Sequence, residues 1–452
     1  MPAGRRVINA PEKNVNTRPE NTASTDAAQP SRGGFYSWYV TIVLMLCYTL
    51  ANVDNSLPSI LVEAIKADLK LTDTQIGLIT GPAFAITYAI AAVPIAKLSD
   101  RSVRTRVIGT AIVVWSGFTA LAGVANSFAM LAVSRVGVAV GEAALTPAAH
   151  SIIADHTTPT KRPIAMSVYA LGAAVGGGLA LALGGIISDL YGWRMAFVWV
   201  GLGGMLLTLL VLLTVKEPVR RNDDTSVELP KGNLKSLFGD AAIRNIILGG
   251  SISMLSAGAF NNWAPAYIMR TFNLSATETG ASFGGLMGVL GLSGLLLGGF
   301  VASWFASRRP GNTFRLLALL LAVSTVTQIA SFVVGSYALF LVLTAVSILC
   351  MAFYFAPTFS AIQSLVDPSA RSFAAAVTLF CISAVGMALG TFLAGLLSDL
   401  LNPTFGADSL RWALLILTIV RLWGAGHYYL AGQAIDRGNA AQGAVPGLAG
   451  LR

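Results

Sequence analysis

The chain has 452 residues, of which 55% are hydrophobic and only 11% charged, against roughly 25% charged in an average soluble protein. That balance excludes an ordinary soluble domain and belongs in a bilayer. The net charge of +9 does not indicate nucleic acid, because the basic residues form no basic face; they sit between long apolar runs, where they orient a membrane protein.

Residues 1 to 33 are polar and rich in Asn, Thr, Pro and Ala, with no apolar run before a small-residue cleavage site. They read as a disordered cytoplasmic tail, which leaves the first span to direct insertion. Apolar segments of about 20 residues, the length that crosses a bilayer, then recur between polar or Gly/Pro-marked breaks. Twelve helices are predicted, at 38 to 60, 77 to 98, 107 to 126, 128 to 153, 163 to 189, 194 to 215, 243 to 269, 280 to 305, 314 to 335, 337 to 365, 372 to 399 and 410 to 433.

The only long internal connection, 216 to 242, carries Lys216, Arg220, Arg221, Lys231 and Lys235 mixed with acids, and it divides the helices six and six. The expected organisation is a first bundle over 34 to 215, a cytoplasmic linker over 216 to 242, a second bundle over 243 to 433 and a cytoplasmic tail over 434 to 452. With both termini in the cytoplasm, 23 Lys/Arg lie inside, two lie in the bilayer and five lie outside (Lys66, Lys70, Arg194, Arg270, Arg411). The excess on the inside sets the orientation; a bacterial inner membrane and a monomer are the expectation.

The halves repeat. Pro147 answers Pro357, Gly176 answers Gly386, Gly185 answers Gly395 and Ser188-Asp189 answers Ser398-Asp399, each at a spacing of 210 residues. The fold class is therefore all-α, with twelve membrane helices in two pseudo-symmetric six-helix halves. Parallel duplicated halves place a substrate site between them, near mid-bilayer.

Ionisable side chains inside a span are expensive and face a cavity or a partner. Asp54, Arg135, Glu142, His150 and Arg421 qualify. Arg135 and Glu142 are seven residues apart on the fourth helix, hence on one face and about 10 Å apart along the axis. Asp54 and Arg135 lie level below the outer ends of their predicted helices, so they are expected to pair. Glu142 lies deeper and less compensated, which makes it the first candidate for proton exchange and Asp54 the second; a static link between the first and fourth helices is the alternative. His150 reads as a polar residue near a helix end. Arg421 either binds an anionic group or sits in a peripheral twelfth helix. The histidines have no metal-ligand spacing, Cys47, Cys350 and Cys381 lie unpaired in apolar runs, and no phosphate-binding loop is present, so no cofactor, metal or ATP drive is expected.

The loop after the second helix reads Ala96-Lys97-Leu98-Ser99-Asp100-Arg101-Ser102-Val103-Arg104-Thr105-Arg106. It resembles the loop signature of the major facilitator superfamily, with Ala96 and Val103 in place of two glycines. The resemblance implies that Asp100, Arg101 and Arg104 latch a cytoplasmic gate; the residues alone allow the same, with Asp100 at a helix N-terminus and the arginines on helix C-termini or Asp155, and a positive-inside retention signal is the alternative. A narrower resemblance covers 38 to 215: Asp54, TDTQIGLI at 72 to 79 and SRVGVAVGEAALTPAAHSIIAD at 134 to 155. It is similar to the spinster-like branch, whose Arg-x5-Gly-Glu-Ala is matched by Arg135, Gly141, Glu142 and Ala143. Asn55 stands where that branch often has an arginine. The resemblance implies proton-coupled transport of lysophospholipids or sphingoid phosphates.

The second half has one deep charge, Arg421, which fits an amphiphile with its head group on the first half and its chain along Phe260, Phe353, Tyr354 and Phe355. Asn261, Asn262 and Trp263 are added as polar contacts, with helix packing as the alternative use. The glycines of the eighth helix read as close-contact positions, and the fifth helix lacks the Gly-Pro pair of drug antiporters. The sequence therefore predicts a proton-coupled lysolipid transporter and not an enzyme. A carrier of small organic anions, such as sugar acids or phosphate esters, is the alternative, and a non-transporting receptor or scaffold is the reading from another class.

Overall fold

The computed structural model describes residues 34–218, 233–291, 293 and 310–443. The segment 1–33 read as a tail, and most of the linker, lie outside the described residues. Span 1 is Phe35–Leu69, span 2 is Asp73–Thr80 followed by Pro82–Arg101, span 3 is Arg104–Ala122, span 4 is Phe128–Glu142 followed by Leu145–His156, span 5 is Arg162–Tyr191 and span 6 is Trp193–Thr214. In the second half, span 7 is Ala241–Phe272, span 8 begins at Ala276, span 9 is Pro310–Val333, span 10 is Tyr337–Ala352 followed by Phe355–Leu365, and span 12 is Ser409–Gly443. Span 11 joins Arg371–Leu379, a π-helical stretch Phe380–Met387 and Ala388–Phe405. Apart from span 8, of which only the start is described, their length and hydropathy are those of membrane-crossing helices, and no strand occurs among the described residues.

Three helix ends differ markedly from the sequence expectation, and one is span 11, which continues to Phe405, six residues past the predicted 399. Span 1 continues to Leu69, nine residues past the predicted end, because Glu63, Lys66 and Asp68 mark water to a pattern reader yet remain helical. Span 12 runs to Gly443, through ten residues assigned to the tail, and a short helix Leu234–Gly239 occupies part of the linker.

The repeat is visible as geometry. Pro147 and Pro357 each follow by five residues the last residue of a helical segment, Glu142 and Ala352. A proline has no N–H and crowds the carbonyl four residues before it, so both helices open at the same point, over Ala143–Ala144 and Phe353–Tyr354.

Three apolar cores explain the overall shape. One is built from both halves and includes Leu57, Ile76 and Phe197 with Phe260, Trp263 and Leu414. The other two are private: Leu44, Trp115 and Ile152 in the first half, and Ile246, Phe314 and Tyr428 in the second. The shared core lies at the end of the bundle away from the termini, the far end. The private cores lie at the end that carries them, the terminal end. Among the described residues, every hydrogen bond between the halves is at the far end, through Glu63, Asp73, Thr74, Asp189, Arg270, Thr277, Ser398 and Asp399. The two halves are thus joined at the far end by the shared apolar core and this hydrogen-bond cluster.

Candidate functional site

The centre of the first half is built on spans 1, 3 and 4. Asp54, Arg135 and Glu142 are all buried, between 1% and 4% exposed. They come together, but not as the predicted ion pair. Thr119 of span 3 donates to Asp54 Oδ1 at 2.8 Å, while Arg135 Nη1 donates to the backbone carbonyl of Asp54 at 3.2 Å. That carbonyl is available because its helical partner four residues on is Pro58, which has no N–H to give. The expectation of a carboxylate–guanidinium pair fails for this reason: the proline offers Arg135 a backbone acceptor, and the carboxylate turns to span 3. Arg135 also lies over the Phe84 ring, 5.1 Å from its centroid, an arrangement that stabilises a cation.

Asn55, noted in the sequence only as standing in place of an arginine, has a role that sequence reading missed. Its Oδ1 accepts from Arg135 Nη2 at 3.4 Å, and its Nδ2 donates to Glu142 Oε2 at 2.8 Å and to Ala51 O at 3.0 Å. A neutral amide therefore links the cation to the deeper acid. The available signal was a third polar side chain beside Asp54 in an otherwise apolar run, since amides inside spans pair across helices. Asp54 Oδ2, Arg135 Nε and Glu142 Oε1 have no hydrogen-bond partner among the described residues, so each charge is only partly satisfied.

Glu142 ends its helical segment at the Pro147 break. The next residue, Ala143, lines an open pocket of about 460 Å³ between spans 2 and 4, with Tyr88, Ala92, Lys97, Thr146 and Pro147; Glu142 itself is not in its wall. The pocket leads from the break toward Lys97 at the terminal end. His150 packs edge-on against Tyr169, 5.2 Å between ring centroids, and Tyr169 stacks on Tyr48 at 4.6 Å; the histidine is exposed and lies midway along Leu145–His156, six residues before its end.

The second-half candidates are spread out. Asn261 is exposed. Its neighbours hold helices together: Asn262 donates to Gly258 O at 3.1 Å and to Thr391 Oγ1 at 3.0 Å, and Trp263 Nε1 donates to Thr391 O at 2.9 Å. Phe260 is sealed among Phe283 and Phe332, both 6.0 Å away, so the proposed apolar wall loses that ring. Tyr354 is 5% exposed with its hydroxyl on Met254 Sδ at 3.6 Å, while Phe355 is 42% exposed. Arg421 is not with the first-half charges. It lies inside the second half, donating to Ser324 Oγ at 2.6 Å, Ser256 Oγ at 2.9 Å and Ser347 Oγ at 3.4 Å, because spans 7, 9 and 10 close around it.

At the terminal end, Arg104 is 4% exposed and binds Asp155 Oδ2 and Ser151 Oγ, both at 2.6 Å, and Glu217 Oε1 at 2.8 Å. The Arg104–Asp155 contact matches the expectation, but the network joins spans 3 and 4 to the linker within one half. Glu217 was not foreseen. It also accepts from the Thr105 N–H at 2.9 Å, capping span 3, whose Val103 has no side chain to do so. Partial burial opposes the Glu217 charge, and the Thr105 N–H and Arg104 guanidinium more than offset it, holding its carboxyl below the ordinary range. Arg101 is exposed, and the Asp100 side chain lies outside the described residues.

Two six-helix halves, duplicated and joined at one end around a few buried charges, define a membrane carrier. Residues 44–391 match the sequence profile of the Major Facilitator Superfamily, and the chain belongs to that family. It is 35% identical over 417 residues to an MFS-type efflux pump of Mycolicibacterium smegmatis, covering 91% of this chain and 96% of that one. It is 26% identical over 399 residues to the sphingosine-1-phosphate transporter SPNS2 of Danio rerio, covering 81% and 78%. Among solved structures, a bacterial homolog of the human lysosomal transporter Spinster, in an inward-facing and unoccupied conformation, superposes with a TM-score of 0.80 at 26% identity, covering 89% of this chain and 98% of that one. The resemblance to the spinster-like branch thus extends to the whole fold.

Proposed function

We propose that this protein is a proton-coupled carrier of amphiphilic anionic lipids, lysophospholipids first among them, working by alternating access. The observation that carries the reading is Glu142: buried, with one carboxylate oxygen unpartnered among the described residues, at the break of span 4, where the next residue lines an open pocket. It gains a proton when water reaches it from one side and loses it to the other. Asp54 is the second titrating group, and Arg135 attracts the anionic head once its bonds to span 1 are exchanged for the substrate. The terminal end is then the cytoplasmic one, and a state joined at the far end is the one that opens to the inside.

The apolar second half supports an amphiphile: its acids Glu278, Asp367, Asp399, Asp408 and Asp436 all lie toward span ends, and Phe355 and the break at Phe353–Tyr354 offer apolar contact. Export of other amphiphiles is a second reading, favoured by the 35% identity to an efflux pump. Purified protein in liposomes, offered lysolipids, sugar acids and cationic amphiphiles with and without a pH gradient, tests the choice. Gradient-driven movement of lysolipids is expected; saturable movement of sugar acids alone, or of cations alone, overturns the substrate assignment.

A further inference from the structure

Spans 2 and 8 start on the same pattern, Leu71-Thr72-Asp73-Thr74-Gln75-Ile76-Gly77 and Leu274-Ser275-Ala276-Thr277-Glu278-Thr279-Gly280, 203 residues apart. Each start carries a capping box. Thr72 Oγ1 accepts from Gln75 N and Gln75 Oε1 from Thr72 N; Ser275 Oγ accepts from Glu278 N and Glu278 Oε2 from Ser275 N. A capping box serves the N-cap and third positions and leaves the first two helical N–H groups unused.

Three of those four N–H groups, on Asp73, Thr74 and Thr277, are taken by the opposite half. Asp399, at the far end of span 11, accepts from Asp73 N at 3.1 Å, Thr74 N at 2.7 Å and Thr74 Oγ1 at 2.6 Å. Asp189, at the far end of span 5, accepts from Thr277 N at 2.7 Å. The two aspartates are related by the 210-residue repeat. So are the glycines one turn before them: a Cβ at Gly185 would collide with Ala276 O, and one at Gly395 with Asp73 O. Each half therefore presents a carboxylate to the positive start of a helix in the other half, and a glycine lets the backbones close enough for contact.

We infer that Asp189 and Asp399 are paired clasps of the far-end gate, made when it is closed and broken when it opens, and that they set the balance between the two states of the carrier. Neither clasp stabilises either half alone, because donor and acceptor belong to different halves. The clasps are unequal. Asp399 accepts three hydrogen bonds, and its neighbour Ser398 donates to Asp73 Oδ2 at 2.6 Å. Arg270 binds Asp73 and Glu63 in the same cluster, and Lys66 also pairs with Asp73. Asp189 accepts one bond and is exposed. The span 11 side is the stronger and opens last.

The inference rests on alternating access but not on the substrate or on Glu142. Its test is the distance between spin labels placed at Asn126 and Asn402, exposed far-end positions of opposite halves, in protein whose three native cysteines are replaced. Asp399→Ala is expected to raise the open-to-closed ratio roughly ten-fold and Asp189→Ala roughly two- to three-fold, with the double variant above both. Unchanged distance populations in folded Asp189→Ala, Asp399→Ala and double variants overturn the proposal. If Asp399→Ala does not fold, Asp399→Asn, which keeps one neutral acceptor, is expected to give a smaller shift; no shift there or in Asp189→Ala is the overturning result. Failure of proton-driven transport with these distances still responding refutes the proposed function and leaves the clasps standing.

Discussion

Glu142→Gln separates proton coupling from every other part of the cycle. Glutamine keeps the shape and an oxygen to accept from Asn55 Nδ2, the 2.8 Å bond that positions the side chain, but it cannot release a proton. Among the described residues, Asp54 and Glu142 are the acids buried at the centre of the first half, so the proposed proton-coupled cycle uses one or both of them. Each proton moved down one pH unit supplies about 1.4 kcal/mol, equivalent to about a ten-fold concentration ratio. With the membrane potential clamped, a neutral-product cycle using Glu142 alone accumulates substrate about ten-fold per pH unit, and one using both acids about a hundred-fold. Glu142→Gln is expected to bring the first case to unity and the second to about ten-fold, while exchange of labelled for unlabelled substrate without a gradient continues at a comparable rate. Accumulation in liposomes at fixed pH steps reads both quantities. Wild-type accumulation by Glu142→Gln, or its loss only in Asp54→Asn, refutes the assignment of Glu142.

Removing the amide in Asn55→Ala leaves Arg135 and Glu142 buried without their common partner, and hydrogen bonds to charged groups contribute about 1.5–3 kcal/mol each. The longer 3.4 Å contact counts for less, so a loss of about 2–3 kcal/mol of stability is expected in thermal unfolding, with transport falling in parallel. Glu217→Ala removes the cap on Thr105 and one partner of Arg104; the carboxylate is 26% exposed, so screening limits the change to about 1–2 kcal/mol. Because the folded-state carboxyl lies below its ordinary value of 4.5, this contribution is present above that pH and lost as pH falls through the lower folded value. Unfolding of wild type and variant should therefore differ at pH 7 and converge in acid. Gly280→Ala and Gly390→Ala introduce the same clash with a backbone oxygen, Leu181 O across the halves and Leu255 O within one. The first is expected to open the far end in the spin-label measurement at little change in unfolding temperature; the second is expected to lower that temperature without opening it.

Helix number, the duplication and the identity of the buried charges were legible because a bilayer imposes rules that a one-dimensional pattern records: a length for each span, and a high cost for any ion inside it. Sequence alone placed Asp54, Arg135 and Glu142 in one neighbourhood and Pro147 opposite Pro357. It could not settle which atoms meet. Pro58 frees the Asp54 carbonyl for Arg135, Asn55 carries the link to Glu142, and Arg421 disappears among serines of its own half. Those outcomes depend on the rotation of each helix and on competition between backbone and side-chain acceptors a few ångströms apart. The far-end clasps show the same division: spacing made Asp189 and Asp399 a repeat, but only packing brought each to a helix start in the other half, because the donors they satisfy lie 88 and 326 residues away in the chain.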